Sequence, residues 1–192
     1  MLSSIHPLGE RARHNRWGLT VSSFVIAAVV AGGAAGAVLG GVGSLLPDGS
    51  WRWVAALGVI VAAGGLDLAG VAAPGPRRQV NEDWIGTFRG WVYGAGFGGQ
   101  LGVGVATFVV TWGVWATGAL ALLTASATAG AAVGAVFGMG RSLAPLAAGW
   151  IDRPSRLTAF NRAMADRAHL VSRTVAFGLV TTGVVGSFWS LT

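Results

Sequence analysis

Residues Ala31–Pro47 read AGGAAGAVLGGVGSLLP, and residues Ala129–Pro145 read AGAAVGAVFGMGRSLAP. Under a shift of 98 residues, ten of the seventeen positions are identical. Gly32, Gly36 and Gly40 fall on Gly130, Gly134 and Gly138. Val38/Val136, Ser44/Ser142, Leu45/Leu143 and Pro47/Pro145 also match, where an excess of Gly and Ala explains nothing. Each copy is an apolar stretch with a G-x-x-x-G-x-x-x-G face, a pattern that lets helix backbones approach closely within a membrane. The pair predicts an all-α, polytopic transmembrane bundle built around a Gly-rich internal repeat.

Composition points the same way. The chain has 192 residues, 53% of them hydrophobic and only 10% charged, with a mean hydropathy of +0.64. Soluble domains carry about 25% charged residues, and a soluble chain this apolar would expose large adhesive patches. A nucleic-acid-binding domain, a disordered chain and a secreted disulfide scaffold are excluded. The net charge of +6 comes from thirteen basic residues, all of them Arg. They cluster between the apolar stretches, which reads as the positive-inside rule and contact with anionic headgroups. Arg without Lys suggests a GC-rich bacterial genome, hence a bacterial cytoplasmic (inner) membrane.

A crossing needs about 20 apolar residues. Working outward from the repeat, spans are predicted at about Gly18–Leu46, Trp51–Ala73, Ala127–Ile151 and His169–Leu191. The stretch Phe88–Ala125 is too long for one straight crossing and short for two. Arg placement decides. If it crosses once, Arg11, Arg13, Arg16, Arg77, Arg78, Arg89, Arg153, Arg156, Arg162, Arg167 and Arg173 all fall on one side. Five crossings follow, with six as the alternative, the N-terminus cytoplasmic and the C-terminus outside. The excess length is expected as a broken helix or re-entrant turn near Gly113–Ala125, tolerated only where protein or a cavity covers it. Trp17, Trp84, Trp91 and Trp150 mark the inner boundary, and Trp51, Trp53 and Trp189 the outer one. Residues 1–17 form a cytoplasmic segment, and 18–191 a single membrane domain. Within it, Ser155, Leu157, Phe160 and Met164 outline an amphipathic surface helix over 155–168.

With the first copy running outward and the second inward, the repeat is of inverted topology, an arrangement found in transporters with a midplane site where helices break. A third small-residue face, Gly94-Gly98-Gly102, lies in Tyr93–Gly104, YGAGFGGQLGVG. The inverted repeat and this Gly-rich segment with its Gln resemble the CcdA/DsbD membrane family of the LysE-type transporter group. The resemblance implies inverted halves around a central site reached alternately from each side. The thiol–disulfide carriers of that family need two membrane cysteines, and this chain has none, so electron transfer is not implied.

Polar residues at membrane depth are default functional candidates. Asp67 and Arg141 lie at depths that agree within about 3 Å at 1.5 Å per residue, so an Asp–Arg pair is expected, structural or functional. Gln100, among glycines, either orients a solute or bonds a freed backbone carbonyl. The candidate solute-binding set is Gln100, Arg141, Asp67, Gly98 and Gly102. The packing set is Gly32, Gly36, Gly40, Gly130, Gly134 and Gly138. Glu82 and Asp83 read as a solvated cluster. His6, His14 and His169 offer no facing pair at depth for a haem. No phosphate-binding Gly-Lys motif, H-E-x-x-H or G-x-S-x-G is present, so neither a catalytic site, a metal nor a cofactor is expected. The function read from the sequence is a transporter-like protein that moves a small neutral or anionic solute through a site between Gly-broken helices. The alternative is a non-catalytic helical subunit or assembly partner of a larger membrane complex, bound to a membrane-protein partner or to copies of itself.

Overall fold

The computed structural model describes residues 5–76, 83–107, 109–147 and 149, with isolated positions between 151 and 178. It contains α1 (Pro7–Ala12), α2 (Trp17–Gly43), α3 (Trp51–Leu68), α4 (Asp83–Thr87), α5 (Gly90–Val103), α6 (Gly113–Leu123) and α7 (Ala127–Ala147). The described residues include no strand. α2 and α3 are long and apolar enough to cross a membrane, and α6 is a shorter apolar helix. The expected span over 169–191 lies almost wholly outside the described residues, as do Arg77, Arg78 and Glu82. The described positions 155, 156, 158–160, 162, 163, 166 and 167 are helical, but Leu157 and Met164 of the expected apolar stripe lie outside them.

α2 is the axis of the bundle, and glycine decides what lies against it. A Cβ on Gly32 would strike the carbonyl oxygen of Gly134, and one on Gly36 that of Gly130. One on Gly40 would strike the oxygen of Ser126, and one on Gly138 that of Ala28. As α2 advances its partners recede, so α7 is antiparallel to it. These contacts exchange under the 98-residue shift: Gly32 corresponds to Gly130, Gly36 to Gly134, Gly40 to Gly138 and Ala28 to Ser126. That exchange is the signature of an approximate two-fold axis perpendicular to the two helices.

On another face of α2, a Cβ on Gly94, Gly98 or Gly102 would strike the carbonyl oxygens of Thr20, Phe24 and Ala28 in turn. These partners advance together, so α5 runs parallel to α2. Further along, Gly43 faces the backbone of Leu122, and Gly118 faces the side chain of Leu39. α6 is therefore also parallel to α2 and continues in the direction of α5. α5 and α6 thus lie along α2 as two half-helices that run in one direction. The break differs from expectation: 113–123 is helical, and the non-helical described residues are 104–107 and 109–112. Gly104 closes α5 at φ +83°, a left-handed conformation that Gly adopts without the penalty of a side chain. α3 packs chiefly on α6.

The C-terminus of α2 is closed by Arg52. Its guanidinium donates to Leu46 O at 2.6 Å and Gly43 O at 3.4 Å, and meets Asp48 at 3.2 Å. A cation over the last carbonyls of a helix satisfies them and complements the dipole. At the other end of the bundle, Ile5, Val21, Phe24, Tyr93 and Phe97 form an apolar cluster, flanked by Trp17, Trp84 and Leu101. Trp84 of α4 stacks on Phe97 with ring centroids 6.1 Å apart.

Candidate functional site: a broken helix tethered at both ends

Breaking a helix at the middle of a bundle frees carbonyls on one side and amides on the other. The two charged residues that the sequence places at depth meet these two needs. Arg141 Nη1 of α7 donates to Gly104 O at 3.2 Å, just past the C-terminus of α5. Its guanidinium also lies 5.4 Å from the ring centroid of Phe137. Asp67 of α3 holds the far side: Thr111 Oγ1 donates to Oδ2 at 2.5 Å, and Trp112 N to Oδ1 at 2.9 Å. Thr111 Oγ1 in turn accepts from Gly113 N at 2.9 Å. A cation thus sits at a helix C-terminus and a carboxylate at a helix N-terminus, each matching the local dipole.

The expected Asp67–Arg141 pair is not formed. Both residues lie beside the same break, but at its opposite ends, and each satisfies backbone instead of the other. Two indoles extend the tether from α6 to the segment after α3: Trp112 Nε1 donates to Val71 O at 2.9 Å and Trp115 Nε1 to Pro74 O at 2.8 Å. The hydroxyl of Thr107, inside the break, is buried without a partner among the described residues.

Gln100 is half-buried and makes no side-chain hydrogen bond among the described residues. The freed carbonyl offered to it goes to Arg141. Gly98 and Gly102 turn their Cα atoms onto the α2 backbone, which makes them packing positions; Gly102 also borders a cavity of about 820 Å³. That cavity lies between α2, α6 and α7 and is lined by residues such as Val38, Leu39, Val105, Trp115, Leu122 and Phe137. Gln100, Asp67 and Arg141 do not line it. The described residues include no cluster of acidic and His side chains able to hold a metal ion.

A second polar centre was not anticipated from the sequence. Glu10 of α1 is fully buried. It receives Arg13 at 2.5 Å, the hydroxyl of Thr20 at 3.0 Å and the phenol of Tyr93. Asn15 Nδ2 reaches the Tyr93 oxygen at 3.4 Å. A buried charge must be paired and hydrogen-bonded, and here three elements supply the partners, binding α1 to α2 and α5. The signal was faint: Tyr93 is the only Tyr, and Glu10 precedes Arg13 by three residues.

His6 sets the start of α1. Its Nδ1 accepts from Gly9 N at 3.2 Å. Burial first, and Arg13 second, hold the imidazole below its ordinary pKa of 6.5, against the opposing pull of Glu10. The folded state therefore binds fewer protons than the unfolded one, so this contribution is present at neutral pH and lost as pH falls below about 6.5. Amide exchange at Gly9 and Glu10, corrected for intrinsic rate, is expected to accelerate between about pH 7.5 and 5. His6→Asn keeps an acceptor at the cap and should remove that pH dependence. An unchanged profile in the variant would assign the effect elsewhere.

No family model, curated protein or solved structure matches the chain. The likeness to the CcdA/DsbD family therefore rests on the sequence pattern alone.

Proposed function

We propose that the chain is a non-catalytic helical membrane subunit, a rigid scaffold that a membrane-protein partner docks against. The observation that carries this reading is the use made of Asp67 and Arg141. Each is engaged at one end of the break, Asp67 through both carboxylate oxygens and Arg141 through Nη1, so both have a structural use that needs no solute. Close packing supports it too, because α2 lies against α5 and α7 with glycine Cα atoms on carbonyl oxygens, and the cavity beside these contacts is lined mainly by apolar residues and by no charged side chain. The outward stripe of α2, including Ile26, Val30 and Val38, is over 60% exposed and is available to a partner helix or lipid. In this reading the bundle crosses the bacterial inner membrane five times, counting α2, α3, α5 with α6, α7 and the 169–191 stretch, with the N-terminus cytoplasmic.

The transporter-like reading is the second. Two half-helices that run in one direction and break at mid-depth, beside an α2–α7 pair with inverted two-fold packing, are features on which alternating-access sites are built. It takes a small neutral or anionic solute.

Gentle extraction from native membranes, followed by native mass spectrometry, separates the two. A stoichiometric protein partner, released together with loss of the partner's function when the chain is deleted, is the expected result. A lone chain or homo-oligomer that catalyses solute flux in vesicles would overturn the subunit reading in favour of the second.

A further inference from the structure

The N-termini of α2 and α5 lie side by side, because the two helices are parallel and Gly90 is seated against Asn15 and Thr20. Around them is a cavity of about 400 Å³ lined by His14, Asn15, Arg16, Arg89, Gly90 and Trp91, among others. Arg16 is the N-cap of α2 and Arg89 the N-cap of α5, and neither helix has a side-chain cap. N-caps favour Ser, Thr, Asp or Asn, and cations oppose the helix dipole at this end. The chain breaks this local rule twice at one place, and such conflicts concentrate at functional sites. No acid among the described residues relieves it. Glu10, the nearest in sequence to Arg16, is enclosed by Arg13, Thr20 and Tyr93. Arg16 and Arg89 form no ion pair among the described residues.

We infer that Arg16, Arg89 and His14 form a binding pocket for a phosphate group, supplied by the headgroup of an anionic phospholipid. Two guanidiniums offer bidentate donors that match phosphate geometry, and the first amides of both helices have no intrahelical acceptor. Leu19 and Trp91 border the same cavity and are 55% and 49% exposed. They provide an apolar and an amphipathic surface where a lipid continues below its phosphate, which a free phosphate would not need. The choice of a lipid rests on the membrane reading above, not on the identity of any protein partner.

The test is native mass spectrometry of the full chain in detergent, titrated with phosphatidylglycerol or phosphatidylcholine. The wild type is expected to retain phosphatidylglycerol selectively. An R16Q/R89Q variant should lose affinity about 10- to 30-fold, since each basic residue at a membrane surface contributes roughly one tenfold step or slightly less. R16K/R89K should keep most of it. R11Q/R153Q removes the same charge outside the pocket and should bind as the wild type does. Equal losses in R16Q/R89Q and R11Q/R153Q would overturn the pocket in favour of diffuse attraction. Displacement by millimolar inorganic phosphate, with no preference for phosphatidylglycerol, would overturn the lipid source. Location is tested separately by whether the wild type fractionates with membranes after carbonate washing.

Discussion

Gly36→Ala is expected to destabilise the bundle by about 2–3 kcal/mol, and Gly36→Leu to prevent its assembly. A Cβ at Gly36 would overlap the Gly130 carbonyl oxygen and crowd the backbone of Gly130 and Gly134. The obstacle is backbone, so no rotamer change relieves it and α2 must move off α7. Overpacking of this kind costs about 1–3 kcal/mol, and more where relaxation is blocked. Gly41→Ala is the control: the same helix, but nothing within 4 Å of the added Cβ. It should be neutral or slightly stabilising, as Ala outranks Gly in a helix. The two-fold exchange adds a sharper test. Gly134 is the counterpart of Gly36 and meets Gly32 as Gly36 meets Gly130, so Gly134→Ala should cost nearly as much. The double variant should cost less than the sum, because either change alone already separates the helices. Denaturant unfolding in micelles measures all five. An unaffected Gly36→Ala chain would mean that α2 and α7 do not touch here.

Why this packing was legible and the break was not follows from range. Close approach of two helices needs a small residue every fourth position, so Gly32, Gly36 and Gly40 and their counterparts are visible as spacing alone. The Gly94-Gly98-Gly102 face was visible for the same reason, though its partner and parallel sense were not. The break depends on long-range polar partners: Gly104 is held from 37 residues away and Thr111 from 44. Rise per residue put Asp67 and Arg141 at one height, but height says nothing about which way a side chain faces around its helix. The two therefore looked like a pair when they hold different ends of one segment. Glu10 was missed because a lone acid among arginines in a terminal segment ordinarily stands in solvent. Only the packing of α1 on Thr20 and Tyr93 shows that it is enclosed.

The tether of the broken traverse gives the second large effect. Asp67→Ala removes two hydrogen bonds to a carboxyl group, each worth about 1–3 kcal/mol net of exchange with water and not additive on one acceptor, and leaves Trp112 N without its partner. A loss of about 2–4 kcal/mol is expected, with Asp67→Asn recovering part because an amide oxygen still accepts. Arg141→Ala uncovers Gly104 O and removes the contact over Phe137, at about 1–3 kcal/mol. Hydrogen exchange should localise both effects to 104–112, not to the α2–α7 interface. A charge swap then distinguishes a tether from an ion pair. If the two side chains served each other, Asp67→Arg combined with Arg141→Asp would restore the interaction. In the tether, the swap sets a carboxylate against a carbonyl oxygen and a cation at the start of α6, so the double variant should be worse than either single one. Rescue by the swap would refute the tether. Retained stability of Arg141→Ala together with altered solute flux would move Arg141 from holding the break to using it, and with it the function from scaffold to transport.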